Sequence, residues 1–452
     1  MRSRSRIVCS FLVCVSLLAT PLLAKKGAVN AGPIWIELGP NGQIIARNIS
    51  PNTTCPQISI DGTLSNMTVR APQTLPAFPV MACEAVIPAS ATSVSILGQK
   101  LVLPVAKPQR LIIIGDTGCR IKEEQKNGTT KYKVQDCESG KKWPFHKLAK
   151  QAAAFNPQLV IHVGDYIYRE AECPDAKKCD TSPFGDNWAT WTADFFTPGA
   201  PLLAAAPWVA ARGNHEICKR EGGGFFRFLE TTVIQPGSPI PPPCTEFTNP
   251  YAVPIGDVTL LMLDSSAVQP LKPSQADDDD EPEENDGGTA TDSQEQTYAQ
   301  QFSALWGMAG ANNWLLMHHP LRAARHAKEG FEGVTDTLWT AAGNVPSSLD
   351  LVVTGHIHFT EALAFDGHPS QLVLGGGGTK LTKNVKDKDV EGQSIGGWKV
   401  TSAKIIDDFG YATVEETGTN VWNLNVYGTD GVKQMKCSIN GAQMTCKKQK
   451  SS

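Results

Sequence analysis

Eight polar side chains follow short apolar runs in this sequence, and their types are those that bind metal ions or phosphate. They are Asp116, Asp165, Tyr168, Asn214, His215, His318, His356 and His358. Hard oxygen ligands together with imidazoles suit iron, zinc or manganese. Two metals held roughly 3.5–4 Å apart clamp a phosphate and generate a hydroxide between them. That chemistry needs a bridging carboxylate, for which Asp165 is the candidate, so the residue types predict a dinuclear metal site.

The elements that must position these side chains are apolar runs of strand length. The runs "LIIIGD", "LVIHVGD", "PWVAARGN", "NWLLMHH" and "LVVTGH" each end in Asp, Asn or His. Continuous apolar runs are typical of strands that are buried on both faces. Active sites in open α/β sheets lie at the carboxyl ends of strands, which is where these polar residues stand. Helical spacing and good helix formers predict a helix over residues 145–155.

Taken in order, the motifs "GDTG", "GDYIY", "GNHE", "LLMHHP" and "GHIH" resemble the five blocks of calcineurin-like metallophosphoesterases. More narrowly, they are similar to the purple acid phosphatase pattern GDxG, GDxxY, GNH[ED], VxxH and GHxH, with Leu315 in place of Val. The resemblance covers residues 110–380. It implies an α/β fold, a four-layer α/β/β/α metallophosphoesterase sandwich. Before it, short alternating runs such as "QISIDG" and "SVSILG" over residues 30–105 predict a small N-terminal β domain.

The resemblance assigns metal roles to seven residues at the matching positions. A ferric ion would be bound by Asp116, Tyr168 and His358, a second divalent ion (iron, zinc or manganese) by Asn214, His318 and His356, and both ions by the bridging Asp165. Tyr168 is the most discriminating ligand, because Fe(III)–phenolate charge transfer produces a purple colour. Alkaline phosphatases of the D type carry a similar "GDYIY" segment and use calcium. They usually lack "GNHE", so that motif favours the purple acid type.

The resemblance also implies how the site would act, with a metal-bound hydroxide attacking phosphorus in line. His215 would hydrogen-bond the phosphate and stabilise its charge. A general acid must protonate the leaving alcohol. We expect His326 in that role, eight residues beyond His318, although the family spacing is slightly longer. His319 is a candidate substrate contact, and a strand-end His without such a role is the alternative.

Other polar residues near the motifs are expected to have structural roles. Arg322 and Arg325 lie in the loop after "LLMHHP", where we expect solvated surface arginines rather than phosphate contacts. Asp264 ends the run "LLMLD", a strand that the family treats as structural. His162 and Glu216 are expected in the core or behind the metal ligands.

The leading expectation for function is a hydrolase that cleaves phosphate monoesters of small substrates. A phosphodiesterase or nucleotide pyrophosphatase with the same metals is the enzymatic alternative. An exported binding protein that keeps the fold without catalysis is the other. With a net charge of −4, the chain shows no basic face of the kind that nucleic-acid binders use. The sequence does not indicate an oligomeric state.

The N-terminus predicts export. Three arginines among the first six residues precede an apolar stretch over residues 7–24, as in a signal peptide cleaved after Ala24. A retained membrane anchor is the alternative. We therefore expect a secreted, periplasmic or other oxidising compartment, with no stable membrane insertion after cleavage. Sequons for N-glycosylation begin at Asn48, Asn52, Asn66 and Asn127.

The cysteines agree with export, because disulfides persist in oxidising compartments. Ten of the twelve cysteines follow the predicted signal peptide. We predict five bridges between sequence neighbours, although sequence alone does not determine connectivity. No CxxC pair exists, which disfavours a zinc cluster. The predicted pairs are Cys55–Cys83, Cys119–Cys137, Cys173–Cys179, Cys218–Cys244 and Cys437–Cys446.

Composition divides the chain into a signal peptide (1–24), a small β-rich domain (25–107), the catalytic domain (108–435) and a disulfide-linked tail (436–452). Within the catalytic domain, residues 268–293 contain "DDDDEPEEND". Like charges this dense repel one another and stay solvated, and their spacing is not that of a calcium loop. We expect a disordered acidic insertion there.

Overall fold

The computed structural model describes residues 32–126, 128–271, 289–328, 330–334, 336–383 and 385–449, which form one compact unit. The predicted signal peptide, the Asn127 sequon and most of the acidic insertion lie outside the described residues. The N-terminal stretch contains short strands, as predicted. They are β1 (Ile34–Leu38), β2 (Ile44–Ser50), β3 (Gln57–Ile60), β4 (Thr63–Asn66), β5 (Thr68–Ala71), β6 (Met81–Ile87), β7 (Val94–Ile96) and β8 (Gln99–Lys100).

The strands after this stretch lie in groups of one to three that are separated by helices up to residue 390, and beyond that residue they follow one another directly. They are β9 (Arg110–Ile114), β10 (Ile121–Lys126), β11 (Thr129–Val134), β12 (Leu159–His162), β13 (Trp208–Ala210), β14 (Tyr251–Ile255), β15 (Val258–Met262), β16 (Asn313–Leu316), β17 (Ala324–His326), β18 (Phe331–Gly333), β19 (Leu349–Thr354), β20 (Thr360–Phe365), β21 (His368–Leu374), β22 (Ser394–Ile395), β23 (Trp398–Ile406), β24 (Gly410–Gly418), β25 (Val421–Gly428), β26 (Lys433–Asn440) and β27 (Gln443–Lys448).

The helices include the one predicted over residues 145–155, which is α1. The α-helices are α1 (Phe145–Ala154), α2 (Ala176–Cys179), α3 (Trp188–Trp191), α4 (Thr197–Leu203), α5 (Gly222–Phe228), α6 (Asp292–Trp306), α7 (Asp336–Ala342) and α8 (Asp387–Val390). A π-helical turn (Thr192–Phe196) joins α3 to α4, and 3-10 turns span Pro40–Gly42 and Asn214–Glu216. None of the described helices is both long enough and apolar enough to cross a membrane.

Two large sheets carry the fold. The first sheet has the order β27-β26-β25-β24-β9-β12-β13-β1-β2-β6-β5, and the second has the order β14-β15-β16-β19-β21-β20-β23-β22. Strands β9, β12 and β13 run parallel in the first sheet. Strands β15, β16, β19 and β21 run parallel in the second. Each sheet therefore directs several strand ends toward one edge.

Alternate residues of the central strands belong to different apolar layers. Ile113 of β9 and Leu316 of β16 lie in one buried cluster that both sheets share. Ile112 instead packs with α1 residues such as Leu148, and Leu315 packs with residues of α6 and α7. The order helix, sheet, sheet, helix confirms the predicted four-layer α/β/β/α fold. Because these strands are buried on both faces, their sequences are continuously apolar.

The N-terminal strands join the first sheet through β1, whose Glu37 pairs with Trp208 of β13. A separate small sheet has the order β4-β3-β7-β8. At the other end, β26 runs across position 435 and pairs with β27. The proposed domain boundaries stay predictions, since strands from both ends of the chain extend the same sheet.

All five predicted disulfides are present. The described sequons differ in accessibility. Asn48 is buried and its side-chain amide donates to the carbonyl of Pro33 at 3.3 Å, whereas Asn52 and Asn66 are exposed. A glycan on the folded protein would therefore fit at Asn52 or Asn66 and not at Asn48.

A buried ion network ties the N-terminal strands to the segment after α5. Arg47 lies 3.1 Å from Glu37 and 2.6 Å from Glu84. Arg70 lies 3.0 Å from Glu84 and 2.7 Å from Glu230. Removing one partner of such a pair leaves an uncompensated buried charge, which is strongly destabilising.

We expect the variant Arg70→Met to lower the free energy of unfolding by about 3–5 kcal/mol, because Glu84 and Glu230 would lose a shared cation. Chemical denaturation followed by circular dichroism measures this. The matched control is Lys436→Met on the exposed face of β26, expected to change stability by less than about 0.5 kcal/mol. Equal stability of Arg70→Met and the native protein would contradict the role given to the network.

Candidate active site

The seven predicted metal ligands follow the carboxyl ends of five parallel strands. The first sheet supplies Asp116 after β9, Asp165 and Tyr168 after β12, and Asn214 after β13; the second sheet supplies His318 after β16, and His356 and His358 after β19. None of the seven residues is more than 1% exposed. The structure therefore brings the whole predicted set into one buried cluster where the two sheets meet.

Three of these residues adopt the left-handed backbone conformation that residues other than glycine rarely use. Their φ angles are 56° at Asp116, 58° at Asp165 and 73° at His356. Such conformations persist only where the surroundings over-determine them, and they cluster at functional sites. The turn after each strand directs the side chain back over the sheet edge.

Two of the glycines in the motifs are required by close packing on the acidic ligands. A Cβ atom on Gly213 would lie 2.0 Å from Oδ1 of Asp165, and one on Gly355 would lie 2.3 Å from Oδ2 of Asp116. Both distances are far inside van der Waals contact. The backbones of "GNHE" and "GHIH" thus pack directly against the two carboxylates.

One group of ligand atoms converges around the Tyr168 hydroxyl. The Oη atom donates to Oδ2 of Asp165 at 2.6 Å and lies 3.3 Å from Oδ1 of Asp116. It also lies 2.9 Å from Nε2 of His358. A phenol, two carboxylates and an imidazole therefore meet at one point.

A second group converges around the Asn214 amide oxygen. Its Oδ1 atom lies 2.9 Å from Nε2 of His318 and 3.1 Å from Nδ1 of His356. Oδ2 of Asp165 lies 3.1 Å from the same Nε2 of His318. Asp165 thus belongs to both groups, as a ligand shared by two ions would.

The electrostatics of the cluster suit cations. Burial raises the pKa of Asp116 well above its usual range, and the Asp165 charge adds to this effect. Burial also opposes ionisation of Asp165, but the charges of His318 and His215 outweigh it and hold its pKa well below the usual range. Burial opposes protonation of His318, yet the Asp165 carboxylate outweighs it and raises its pKa to about 9. Two buried acids in mutual contact are stable together only when positive charge is near.

The donor set therefore fits metal ions. Single ligand atoms of Asp116, Asp165 and His318 lie within 4.8 Å of one another. Carboxylate, phenolate, amide and imidazole donors together are those of iron, zinc and manganese sites. The ring nitrogen Nδ1 of His318 lies 2.8 Å from the carbonyl of Val163, leaving Nε2 directed at the cluster. This is how ligating histidines are usually oriented.

Glu216 holds the Asp165 turn in place. Its carboxylate accepts the backbone N–H groups of Gly213 at 3.1 Å, Asp165 at 3.1 Å and Tyr166 at 2.8 Å. His162 lies in the core, where its ring stacks on Tyr166 at 4.1 Å. Both residues thus stand behind the ligands, as predicted. They connect the second and third motifs.

The histidines predicted to contact the substrate (His215 and His319) and to donate a proton (His326) differ in burial and in their neighbours. His215 is buried, and its Nε2 lies 3.9 Å from Oδ2 of Asp165. His319 is also buried, with its ring centre 4.0 Å from that of His356, and among the described residues neither of its nitrogens has a hydrogen-bond partner. His326 ends β17 and is partly buried. The roles of all three stay predictions.

The expectation for Arg322 and Arg325 was wrong, because both are buried, at 4% and 3% exposed. The Arg322 guanidinium lies 3.6 Å from the ring centre of Trp398, a stacking contact that covers it. Arg325 is held by Glu332 at 2.7 Å. Sequence could not show this, because Glu332 stands opposite Arg325 only once β17 and β18 pair.

Three residues near the cluster were not predicted. Nη2 of Arg120 lies 3.2 Å from Nδ1 of His358. Glu170 and Arg220 both reach the ring of His215. Their only sequence signal is proximity to the motifs "GDTG", "GDYIY" and "GNHE".

Comparison with known proteins gives a family and a fold. The sequence profile of the calcineurin-like phosphoesterase family matches residues 109–359, more than half of the chain. No curated protein sequence matches the chain significantly. A purple acid phosphatase, PPD1 from yellow lupin (Lupinus luteus) seeds, is similar with a TM-score of 0.53 at 13% identity, covering 91% of this chain and 75% of that one.

The structure of PhoD is similar to the same degree, with a TM-score of 0.53 at 12% identity, covering 95% of this chain and 94% of that one. At such identities the likeness is one of fold. The equal scores do not separate a purple acid phosphatase from PhoD.

We expect Gly213→Ala to weaken metal binding at least about tenfold, because the added methyl displaces the Asp165 carboxylate shared by both groups. Metal analysis after dialysis against metal buffers measures this. Gly418→Ala on β24, where the new Cβ atom would lie 3.6 Å from its nearest neighbour, is the control. Full metal retention by folded Gly213→Ala would show that the cluster does not hold the ions.

Proposed function

We propose that this protein hydrolyses phosphate monoesters with a ferric and a second divalent ion. The chain belongs to the calcineurin-like phosphoesterase family and is therefore a metal-dependent hydrolase of phosphoric esters. The observation that carries this proposal is the convergence of ligand atoms around Tyr168 Oη and Asn214 Oδ1, with Asp165 shared between them. The arrangement gives each ion its own set of donors.

The ferric ion is assigned to the harder, more acidic group of donors. That group contains Asp116, Tyr168 and His358, together with Asp165. The second ion, iron, zinc or manganese, is assigned to Asn214, His318 and His356, again with Asp165. When bound, the two cations would supply positive charge that stabilises a phosphoryl group and would lower the pKa of a bound water.

The residues around the cluster are suited to bind and orient a small phosphate ester. His215 presents Nε2 toward the shared carboxylate, where it can donate to a phosphoryl oxygen. His319 is a second substrate contact, since its buried ring nitrogens have no partner among the described residues. His326 is proposed as the proton donor to the leaving alcohol. Arg325 adds positive charge close to His319 and His356.

The motif "GNHE" favours the purple acid type over the calcium-dependent D type, and the Tyr168 phenol supports a ferric ion at the site. Its hydroxyl lies 2.6 Å from Asp165 and 2.9 Å from His358, which supports a ligand role over core packing. Burial raises the pKa of the phenol well above its usual range. A strongly Lewis-acidic ion such as Fe(III) stabilises phenolate, whereas Ca²⁺ prefers carboxylate and carbonyl oxygens.

Export to an oxidising compartment is part of the proposal. It is supported by the five disulfides, which join all ten cysteines of the described chain. Bridges of this number are typical of secreted or periplasmic proteins.

We expect the purified protein to show a broad visible absorption band that vanishes in Tyr168→Phe. The band would come from charge transfer between the phenolate and Fe(III). Tyr132→Phe, on the exposed β10–β11 hairpin, should keep it. A colourless enzyme that depends on calcium would instead support the D type.

We expect kcat/KM for p-nitrophenyl phosphate to exceed that for bis(p-nitrophenyl) phosphate, because imidazoles and guanidinium groups border the cluster and favour the more negative monoester. Steady-state kinetics on metal-loaded protein measure both constants. The reverse preference would support a phosphodiesterase. The absence of any hydrolysis, with no stoichiometric metal, would contradict the proposed function.

A further inference from the structure

Two charged side chains contact the imidazole of His215. Oε1 of Glu170 lies 3.0 Å from Nδ1. Nη2 of Arg220 lies 2.7 Å from Nδ1 and 3.0 Å from Nε2, and Nε of Arg220 donates to Glu170 at 2.5 Å. The backbone N–H of Glu221 also donates to the carbonyl of His215 at 3.0 Å. Side chain and backbone of His215 are therefore both fixed by this segment.

The other side of the His215 ring faces the metal ligands. Nε2 lies 3.9 Å from Oδ2 of Asp165, and the ring centre lies 3.7 Å from that of Tyr168. The side chain of His215 is 2% exposed. Glu170 thus contacts the ring at Nδ1, whereas Nε2 lies 3.0 Å from Nη2 of Arg220 and faces the Asp165 carboxylate.

We infer that Glu170 is a positioning residue for His215, held in turn by Arg220. The inference rests on the proposed function, in which His215 contacts the phosphoryl group. The orientation of an imidazole is set by the hydrogen bond that its other nitrogen makes. A carboxylate at Nδ1 fixes the ring so that Nε2 faces the Asp165 carboxylate. Glu170 acts through His215 and does not touch the substrate.

The same residues do not form a third metal site. Ligand atoms of Glu170, His215 and Glu221 lie within 4.8 Å of one another, a spacing that could suit a cation. The Arg220 guanidinium already contacts both Glu170 and His215. The guanidinium supplies the positive charge that an ion would otherwise bring. Glu170 and Arg220 therefore hold the His215 ring in place.

The test is a double-mutant cycle on metal-loaded protein with p-nitrophenyl phosphate as substrate. We expect Glu170→Ala to lower kcat/KM about 10–100-fold, the usual effect of losing the partner that orients a site histidine. Glu170→Gln should recover most activity, because its amide oxygen still accepts from Nδ1. In a His215→Ala background, Glu170→Ala should cost less than about twofold. Glu172→Ala, exposed in the same loop, is the control.

Metal content and the visible band distinguish positioning from a structural role, and both should be unchanged in Glu170→Ala. Loss of metal, additive effects in the cycle, or a third stoichiometric metal would overturn the inference. Inorganic phosphate binding, measured by calorimetry, should weaken in Glu170→Ala but not in Glu172→Ala. If the native protein bound phosphate but hydrolysed no ester, the proposed function would fail, while equal phosphate binding by Glu170→Ala would overturn the role of Glu170.

Discussion

Both oxygens of the Asp165 carboxylate are engaged by groups from distant parts of the chain. Oδ1 accepts the backbone N–H of His215 at 3.0 Å, and Oδ2 lies 2.6 Å from Tyr168 Oη and 3.1 Å from His318 Nε2. His318 follows a strand of the second sheet, whereas the other contacts come from the first. A buried carboxylate is stable only where donors or cations surround it, so the contacts of Asp165 determine how the two strand edges meet.

Several neighbouring residues keep the Asp165 carboxylate in this position. Glu216 holds the Asp165 turn through three backbone N–H groups, and Gly213 leaves room for Oδ1. The four layers bury the strands on both faces and shield the cluster from bulk solvent. In that buried setting, neighbouring acids and imidazoles form a site whose charge balance is completed by cations.

The convergence of the seven candidate ligands could be predicted because its signals are local, and the layer order was implied by the family resemblance. Each ligand stands within a few positions of the end of an apolar run, and each disulfide joins neighbouring cysteines. The burial of Arg325 could not be predicted, since Glu332 faces it only after β17 and β18 pair. The contact of Glu170 with His215 joins two separate motifs. Likewise, the extension of the first sheet by β1 depends on one pairing, Glu37 with Trp208, between segments far apart in sequence.

The fold alone leaves the choice between the purple acid and D types open, because both solved structures are equally similar. We propose the purple acid type, in which Tyr168 would bind a ferric ion and Asp165 would be shared by two ions. Anomalous X-ray diffraction at the iron absorption edge, on crystals of metal-loaded protein, measures both directly. The account predicts two ions bridged by Asp165, with the iron signal on the ion bonded to Tyr168 Oη. A single ion, or an ion bonded to Tyr168 without an iron signal, would contradict it.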